Sequence, residues 1–99
     1  MRPIKYRGKI DSKWWYVDFR NQDGDWAQFW AIVDERTVGE FTGILDKNGR
    51  EIYEGDIVQG SKDDCYIIKW DESSVGFQGF PFGIQEVVGN IYENYILPD

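Results

Sequence analysis

Apolar and polar residues alternate along much of the chain, with the period of two that is typical of half-buried β-strands. In residues 3–10 the isoleucines, tyrosine and glycine fall on one face, and the proline, lysines and arginine fall on the other. A second alternating run, WWYVDF, follows at residues 14–19 after a short turn. Because turn residues recur about every ten positions, the pattern predicts a mainly β fold such as a small barrel or sandwich. Further strands are expected at residues 40–45, from Ile57, at residues 66–70, and through Val87, Val88 and Ile91.

Residues 26–34, WAQFWAIVD, are compatible with two structures. The Asp-Gly pair at residues 23 and 24 separates two aromatic-rich runs, which is the strongest short-range signal for a β-hairpin. In a returning strand both faces would be apolar, so the strand would be central in its sheet or would lie at an interface. A short helix near residues 26–36 is the competing prediction.

The run TGILDKNGREIYEGDIV, residues 42–58, concentrates glycines and polar side chains in the way that a binding site would. A calcium loop is disfavoured by the spacing, because the sixth position should be glycine and is Glu51, and the twelfth should be glutamate and is Ile57. The chain has no histidine and a single cysteine, so it offers almost no ligands for a transition metal. We therefore expect neither a metal site nor a cofactor.

Turn chemistry accounts for the same run. Asp46 can open a type I turn by accepting a hydrogen bond from the backbone ahead of it. Asn48 and Gly49 tolerate the left-handed region that closes a three-residue hairpin loop with a bulge. Gly55 and Asp56 repeat the arrangement before the next strand, and a positive φ is expected at Gly55. The sequence thus predicts structural turns at Asp46, Asn48, Gly49, Gly55 and Asp56.

Composition limits the chemistry that the chain can perform. Aromatic residues make up 17% of the 99 residues, which suits strands and interfaces better than a helix bundle. Without histidine, the usual base of serine-type and cysteine-type catalytic triads is missing. Carboxylates are plentiful, but the sequence does not show two of them converging on a substrate. We expect a non-enzymatic protein with no catalytic residues, and a hydrolase built on paired carboxylates is the minor alternative.

The chain has no features of a membrane or secreted protein. No segment approaches the roughly 20 apolar residues of a membrane span. The first ten residues lack the apolar stretch of a signal peptide, and Cys65 alone cannot form an internal disulfide. These features predict a soluble cytoplasmic protein without a membrane partner.

The net charge of −7 is unevenly distributed. Residues 1–20 carry six Lys or Arg and two acids, a balance of +4, whereas residues 21–99 carry five and sixteen, a balance of −11. The acidic body should repel a phosphate backbone. Two roles are open for the basic arm. It packs on an acidic face of its own chain or of a neighbouring copy, or it contacts the phosphates of a nucleic acid.

Aromatic side chains near the basic strand are the remaining functional signal. They could stack on single-stranded bases, or form a protein interface, where tryptophan, tyrosine and arginine are enriched. Some of them could simply fill the core. The candidate partner-binding residues are Arg7, Lys9, Trp14, Tyr16, Trp26 and Trp30.

Three motifs resemble the YopX family of small phage and prophage proteins. They occur in order over most of the chain: IKYR at residues 4–7, FTGILDKNGREIYEGDIV at residues 41–58 and EVVGNIYEN at residues 86–94. The family commonly has Arg-Ala-Trp-Asp after the first strand, whereas here Arg7 is followed by Gly-Lys-Ile-Asp. Residues 20–37 and 73–84 match no motif of the family.

The resemblance implies a small SH3-like β-barrel with an N-terminal β-hairpin extension, the extension covering residues 1–37 and the barrel residues 38–99 of one compact unit. Tyr53 would either plug the end of the barrel or lie exposed at a contact. The resemblance also implies a phage or prophage origin and residence in the cytoplasm of a bacterial host, and it assigns no catalytic residues.

Two classes of function follow from these observations. We expect a binding or assembly module that forms a homo-oligomer and binds a host or phage protein. The alternative is a nucleic-acid-associated phage factor, or an acidic mimic of DNA that binds a host protein.

Overall fold

The computed structural model describes residues 4–18, 25–62, 64–81 and 83–93, and within these ranges it has nine strands and one helix. The prediction of a mainly β, small barrel-like fold with an N-terminal hairpin is confirmed. In chain order the elements are β1 (Lys5–Ile10), β2 (Lys13–Asp18), α1 (Asp25–Ile32), β3 (Asp34–Leu45), β4 (Glu51–Tyr53), β5 (Asp56–Gly60), β6 (Cys65–Ile67), β7 (Lys69–Asp71), β8 (Gly76–Gln78) and β9 (Ile84–Asn90).

The N-terminal sheet has the strand order β2-β1-β3-β4. β1 and β2 form an antiparallel hairpin whose turn consists of Asp11 and Ser12, with φ angles of 52° and 69°. A two-residue turn in which both φ angles are positive is the type I′ form, which matches the natural twist of the strands. Since β1 pairs with β3 on its other side, β2 is the edge strand of this sheet among the described residues.

Residues 25–32 form a helix, so the returning strand that the Asp-Gly signal favoured is wrong and the competing helix is correct. The proposed hairpin turn at residues 21–24 lies outside the described residues. Six of the eight residues of α1 are apolar, so an alternating pattern and a helical pattern fit the same stretch. Among the described residues, no helix has the length and apolar character needed to cross a membrane.

Helix α1 packs on one face of the N-terminal sheet. Trp26, Phe29 and Val33 recur at helical spacing, and the last two form a buried cluster with Val17 of β2, against which Trp26 packs. Gly8 of β1 lies directly beneath this cluster, where an added Cβ would collide with Val33. The absence of a side chain at Gly8 therefore allows the close approach of helix and sheet.

The body of the protein is built on β5, which pairs antiparallel with β6 on one side and with β9 on the other. Its buried core consists of Ile52, Val58, Ile68 and Val87, which are at most 6% exposed. β7 and β8 form a separate hairpin, and Phe77 of β8 packs against this core. The described residues thus contain two hydrophobic clusters, one beneath α1 and one in the body.

Two details of the predicted strands are wrong. The single strand expected at residues 66–70 is divided at Ile68. Its carbonyl accepts a hydrogen bond from the N–H of Gly55, in the turn between β4 and β5, and its N–H donates to the carbonyl of Asp56 at the start of β5. The chain passes at this point from the β5 sheet to the β7–β8 hairpin, with the Ile68 side chain fully buried. In β9, Val87 is buried but Val88 is 45% exposed, because successive side chains of a strand point to opposite faces.

Strand β3 is shared by the two parts of the molecule. Its first half pairs with β1, and its second half pairs with β4, with Phe41 opposite Tyr53 and Leu45 opposite Glu51. The division of the chain between residues 37 and 38 falls inside β3 and stays a prediction.

The two turn glycines of the central run provide a stability test. Gly55 has a φ of +92°, and an added Cβ would lie 2.9 Å from the Cε2 atom of Tyr92, whereas Gly49 has a φ of +81° with nothing within 4 Å. We predict that Gly55→Ala lowers the free energy of unfolding by roughly 2–4 kcal/mol and Gly49→Ala by roughly 1–2 kcal/mol, the cost of left-handed backbone alone. Urea denaturation followed by tryptophan fluorescence measures both, and equal losses would contradict a steric role for Tyr92.

Candidate interaction surface

An ion pair between Arg7 of β1 and Asp56 of β5 joins the N-terminal hairpin to the body. The Arg7 Nη2 atom lies 2.7 Å from the Asp56 Oδ1 atom, and the two residues are 3% and 1% exposed. The second carboxylate oxygen accepts a 2.7 Å hydrogen bond from the backbone N–H of Tyr53. Burial raises the pKa of Asp56, and the Arg7 guanidinium and the Tyr53 N–H oppose that rise. The buried carboxylate thus has a protein donor on each oxygen in place of water.

Two aromatic rings enclose the Arg7 guanidinium. Its central carbon lies 4.4 Å from the ring centroid of Trp14 and 4.9 Å from that of Tyr53, within the range of cation–π attraction. Burial raises the pKa of Tyr53, and its hydrogen bond to Glu51 adds to the rise, so the phenol stays neutral. Tyr53 is 2% exposed, which makes it an internal residue. We call Arg7, Trp14, Tyr53 and Asp56 the arginine cluster.

Glu93, which follows β9, ties the outer end of the hairpin to the body. Lys9 Nζ lies 2.7 Å from its Oε2 atom, and the Trp14 indole N–H donates a 2.9 Å hydrogen bond to its Oε1 atom. The side-chain amide of Asn90 donates to the same oxygen at 2.9 Å. The hydrogen bonds from Lys9, Asn90 and Trp14 lower the pKa of Glu93 to about 2.

The three cations of β1 are all paired within the chain. Lys5, Arg7 and Lys9 lie on the same face of the strand, since side chains two residues apart point the same way. The Lys5 Nζ atom lies 2.6 Å from a carboxylate oxygen of Glu51 in β4, so each of the three cations bonds to a different acid of the same chain. The basic strand therefore packs on an acidic face of its own chain, which is the first of the two roles that the charge distribution left open.

The other candidate partner-binding residues lie in two places. Tyr16 of β2 is 57% exposed, and its ring centroid lies 5.6 Å from that of Tyr53. Trp26 and Trp30 lie on α1, where their rings meet Tyr6 edge-on at 5.9 and 5.4 Å. The structure thus gathers the candidates of β1 and β2 around the arginine cluster and places the two tryptophans of α1 on the opposite face of the N-terminal sheet.

The polar run at residues 42–58 is organised by buried carboxylates. Asp46 is 6% exposed, and its Oδ1 atom accepts hydrogen bonds from the backbone N–H groups of Asn48 and Arg50, at 2.9 Å each. Its Oδ2 atom accepts one from Val87 of β9 at 3.0 Å. Burial alone would raise the pKa of Asp46, but these N–H groups hold it below its usual value. Within the described ranges, no three Asp, Glu, His or Cys side chains lie close enough together to hold a metal ion.

A groove of about 220 Å³ lies between β2 and α1, and we call it the hairpin groove. None of its lining side chains is charged. Trp15, Tyr16 and Ile32, which form part of its walls, are each more than half exposed. The lining residues are Ile10, Trp15, Tyr16, Val17, Gln28, Phe29 and Ile32.

Trp15 and Ile32 are absent from the candidates that the sequence suggests. Trp15 shares a strand face with Val17, so its position indicates a core residue. The exposure of Ile32 depends on how α1 lies on the sheet, which no local pattern specifies. The signal that could identify this surface is the presence of apolar residues on both faces of β2 and all round α1, a combination that one buried core does not require.

A comparison with protein-family models gives a match to the family described as YopX protein, over residues 3–97. The match covers nearly the whole chain and confirms the resemblance that the three motifs indicate. No curated protein matches the chain.

The arginine cluster generates a stability prediction. We expect Arg7→Met to lower the free energy of unfolding by roughly 3–5 kcal/mol, because it leaves the buried Asp56 carboxylate without its charged partner. Adding Asp56→Asn removes the orphaned charge, so the double variant should recover part of the loss. Chemical denaturation followed by tryptophan fluorescence measures each variant.

Arg36→Met is the matched control for this prediction. Arg36 pairs with Asp34 at 3.0 Å, but its side chain is 88% exposed, so its removal should leave stability unchanged within error. A loss in Arg7→Met no larger than that in the control would show that the arginine cluster does not hold the hairpin on the body.

Glu93 generates a prediction about acid sensitivity. Folding lowers its pKa from 4.5 to about 2, so between these values the unfolded chain binds more protons than the folded chain. Stability from this group is therefore present above the unfolded pKa and falls as the pH falls towards the folded pKa. We predict that Glu93→Gln, measured by urea denaturation at a series of pH values, loses less stability across this window than the unaltered protein does. Parallel curves for the two proteins would contradict the prediction.

Proposed function

We propose, because the chain belongs to the YopX family and presents the surface described above, that it is a phage- or prophage-encoded, non-enzymatic binding module that assembles with copies of itself. We place it in the cytoplasm of a bacterial host. The origin and the compartment rest on what the family resemblance implies. The binding role rests on one observation, the uncharged hairpin groove beside the exposed aromatic residues of β2.

The composition of this surface supports a protein partner. Trp15, Tyr16 and Ile32 leave apolar area in water that a partner could bury, and burial of apolar area is the main driving force of association. Tryptophan and tyrosine are enriched in protein interfaces, above all among the residues that dominate binding energy. The centres of interfaces are also depleted of charge, as the groove is.

The ion pairs of β1 change the expected driving force of self-association. Lys5, Arg7 and Lys9 are engaged with acids of the same chain, so these cations are already neutralised when a second copy approaches. Association through the groove should then depend little on salt, whereas association through a basic arm would weaken as salt screens the charges. Salt dependence therefore distinguishes the two driving forces.

The ion pairs of β1 weigh against one of the two alternative functions, and the charge of the rest of the chain supports the other. A nucleic-acid-associated factor needs accessible Lys and Arg to neutralise phosphates, and the cations of β1 are occupied. The balance of −11 over residues 21–99 supports the second candidate, an acidic mimic of DNA that binds a basic host protein. This candidate predicts capture of a basic protein that is lost at high salt.

Self-association is tested by light scattering at micromolar concentration. We predict a mass above that of the monomer that persists from about 0.05 to about 0.5 M salt, because the contact is apolar. Ile32→Glu should shift the protein towards the monomer by placing a charge in the groove. Val75→Glu is the matched control, since Val75 is 74% exposed and lies outside the groove. A monomer under all conditions would contradict self-association.

Affinity capture from a lysate of the bacterial host, with and without nuclease, separates the three functions. A protein captured equally in both samples and lost with Ile32→Glu supports the binding module. Capture that nuclease abolishes supports the nucleic-acid factor. Capture of a basic protein that is lost at high salt and unaffected by Ile32→Glu supports the DNA mimic.

A further inference from the structure

The outer edge of β2 presents a defined set of backbone groups. Ile10 and Lys13 flank the two-residue turn of the hairpin and therefore form a hydrogen-bonded pair. Because hydrogen-bonded and non-hydrogen-bonded pairs alternate along antiparallel strands, the N–H and C=O groups of Trp15 also point towards β1. Those of Trp14 and Tyr16 point to the other side, where no strand of the described residues pairs with them.

This edge lacks the features that usually prevent strand addition. Edge strands in natural proteins are blunted by proline, by bulges or by charged residues along the edge. β2 has the sequence KWWYVD, with its charged residues only at the two ends, and it pairs with β1 without a register shift. Its central residues Trp15 and Tyr16 are 53% and 57% exposed. As far as the described part of the chain extends, β2 is therefore open to pairing with another strand.

We propose that β2 of a second copy occupies this edge, paired antiparallel about a two-fold axis at Tyr16. The inference rests on the self-association proposed above and assigns it a surface. The two N-terminal sheets become one continuous sheet, and Trp15 of each copy lies beside Val17 of the other, at the hairpin groove. Both copies use the same residues, as a two-fold contact requires.

The pleat of the strand selects this register. Directly opposed residues of an antiparallel pair point their backbone groups the same way, so a two-fold axis must pair a residue with its own copy. The two residues at the middle of β2, where such an axis pairs the greatest length of strand, are Trp15 and Tyr16. Centring on Trp15 would set Lys13 opposite the buried Val17 and would extend the pairing into Ser12, whose φ of 69° is not extended backbone. Centring on Tyr16 keeps the paired residues within β2.

Charge and area favour a second copy at this place. Two chains of net charge −7 repel each other, but the three cations of β1 are paired internally, β2 carries one lysine and one aspartate, and the groove lining is uncharged, so the local surface is close to neutral. The exposed parts of Trp15, Tyr16 and Ile32, with the strand backbone, supply on the order of 1,000 Å² from the two copies. This is the low end for a specific interface, so we expect a dimer that forms at micromolar concentration.

The register is tested by cysteine cross-linking in a Cys65→Ser background, which removes the one native cysteine. Two Tyr16 Cα atoms in the proposed pair would lie about 5.5 Å apart, within the span of a disulfide. Mild oxidation of Tyr16→Cys should give a dimer roughly tenfold faster than Trp15→Cys or the exposed control Val75→Cys. Faster cross-linking of Trp15→Cys would overturn the register, and a rate no higher than that of Val75→Cys would overturn the pairing.

A second variant tests the edge by light scattering. The Tyr16 N–H faces the open edge, so Tyr16→Pro keeps the hydrogen bonds between β1 and β2 and blocks strand addition. We expect a monomer whose near-ultraviolet circular dichroism is native. A folded Tyr16→Pro protein that stays oligomeric overturns the pairing of β2 and leaves the proposed self-association standing, whereas a monomeric unaltered protein overturns both.

The chain's own C-terminal segment is the competing occupant of the edge, because Glu93, the last described residue, is bonded to Trp14 of β2. Deletion of residues 94–99 separates the two occupants. Cross-linking of Tyr16→Cys that is equal with and without this segment supports the second copy. Cross-linking that appears only after the deletion assigns the edge to the segment and overturns the proposal.

Discussion

The buried pair of Arg7 and Asp56 is the contact on which the arrangement of the molecule depends. Removing a guanidinium and a carboxylate from water is costly, and their attraction offsets that cost only when the geometry is good and the remaining hydrogen-bonding groups are satisfied. Here both carboxylate oxygens are occupied, by Arg7 and by the backbone N–H of Tyr53, and the guanidinium lies between two aromatic rings. The buried Nε atom of Arg7 has no hydrogen-bond partner among the described residues, so the guanidinium is held by one ion pair and by the rings. β1 and β5 belong to different sheets, so the pair fixes how the hairpin sits on the body. The lysines on either side of Arg7 extend the same face with weaker, more exposed bridges.

The polar run at residues 42–58 supplies the acidic half of this arrangement. Gly55, with a φ of +92°, turns the chain so that Asp56 accepts a hydrogen bond from the N–H of Tyr53, three residues earlier. In the preceding turn, Asp46 accepts a hydrogen bond from the backbone N–H of Asn48. Its second carboxylate oxygen accepts one from the N–H of Val87 in β9. Carboxylates are common metal ligands, but these two aspartates are buried hydrogen-bond acceptors. Each of them connects a turn to a distant strand. Their carboxylates are satisfied by the chain itself.

Local patterns predict those parts of the fold that local forces determine. Alternation predicts the hairpin of β1 and β2 correctly, because each strand has one face turned to a core. The same reasoning fails at residues 26–34, where α1 is apolar on most sides and only the packing of Phe29 on the sheet decides between the two periods. Arg7 and Asp56 are 49 residues apart, so the sequence identifies a basic strand and an acidic turn without showing that they meet. The hairpin groove is missed for the same reason, since it exists only between a strand and a helix whose relative position is a tertiary property.

The buried pair of Arg7 and Asp56 influences how readily the exposed edge of β2 can bind a second strand. Association must immobilise the groups that meet, and each flexible side chain that becomes ordered costs about 0.5–1.5 kcal/mol. Trp14, next to Tyr16 on β2, is already fixed by the Arg7 guanidinium and by its hydrogen bond to Glu93. β2 is thus held from the side of the body before any partner arrives, and a pre-ordered edge loses less entropy when a second strand is added. An interface of modest area can then be sufficient for two copies to associate, because the hairpin is already ordered when the chain folds around Arg7 and Asp56.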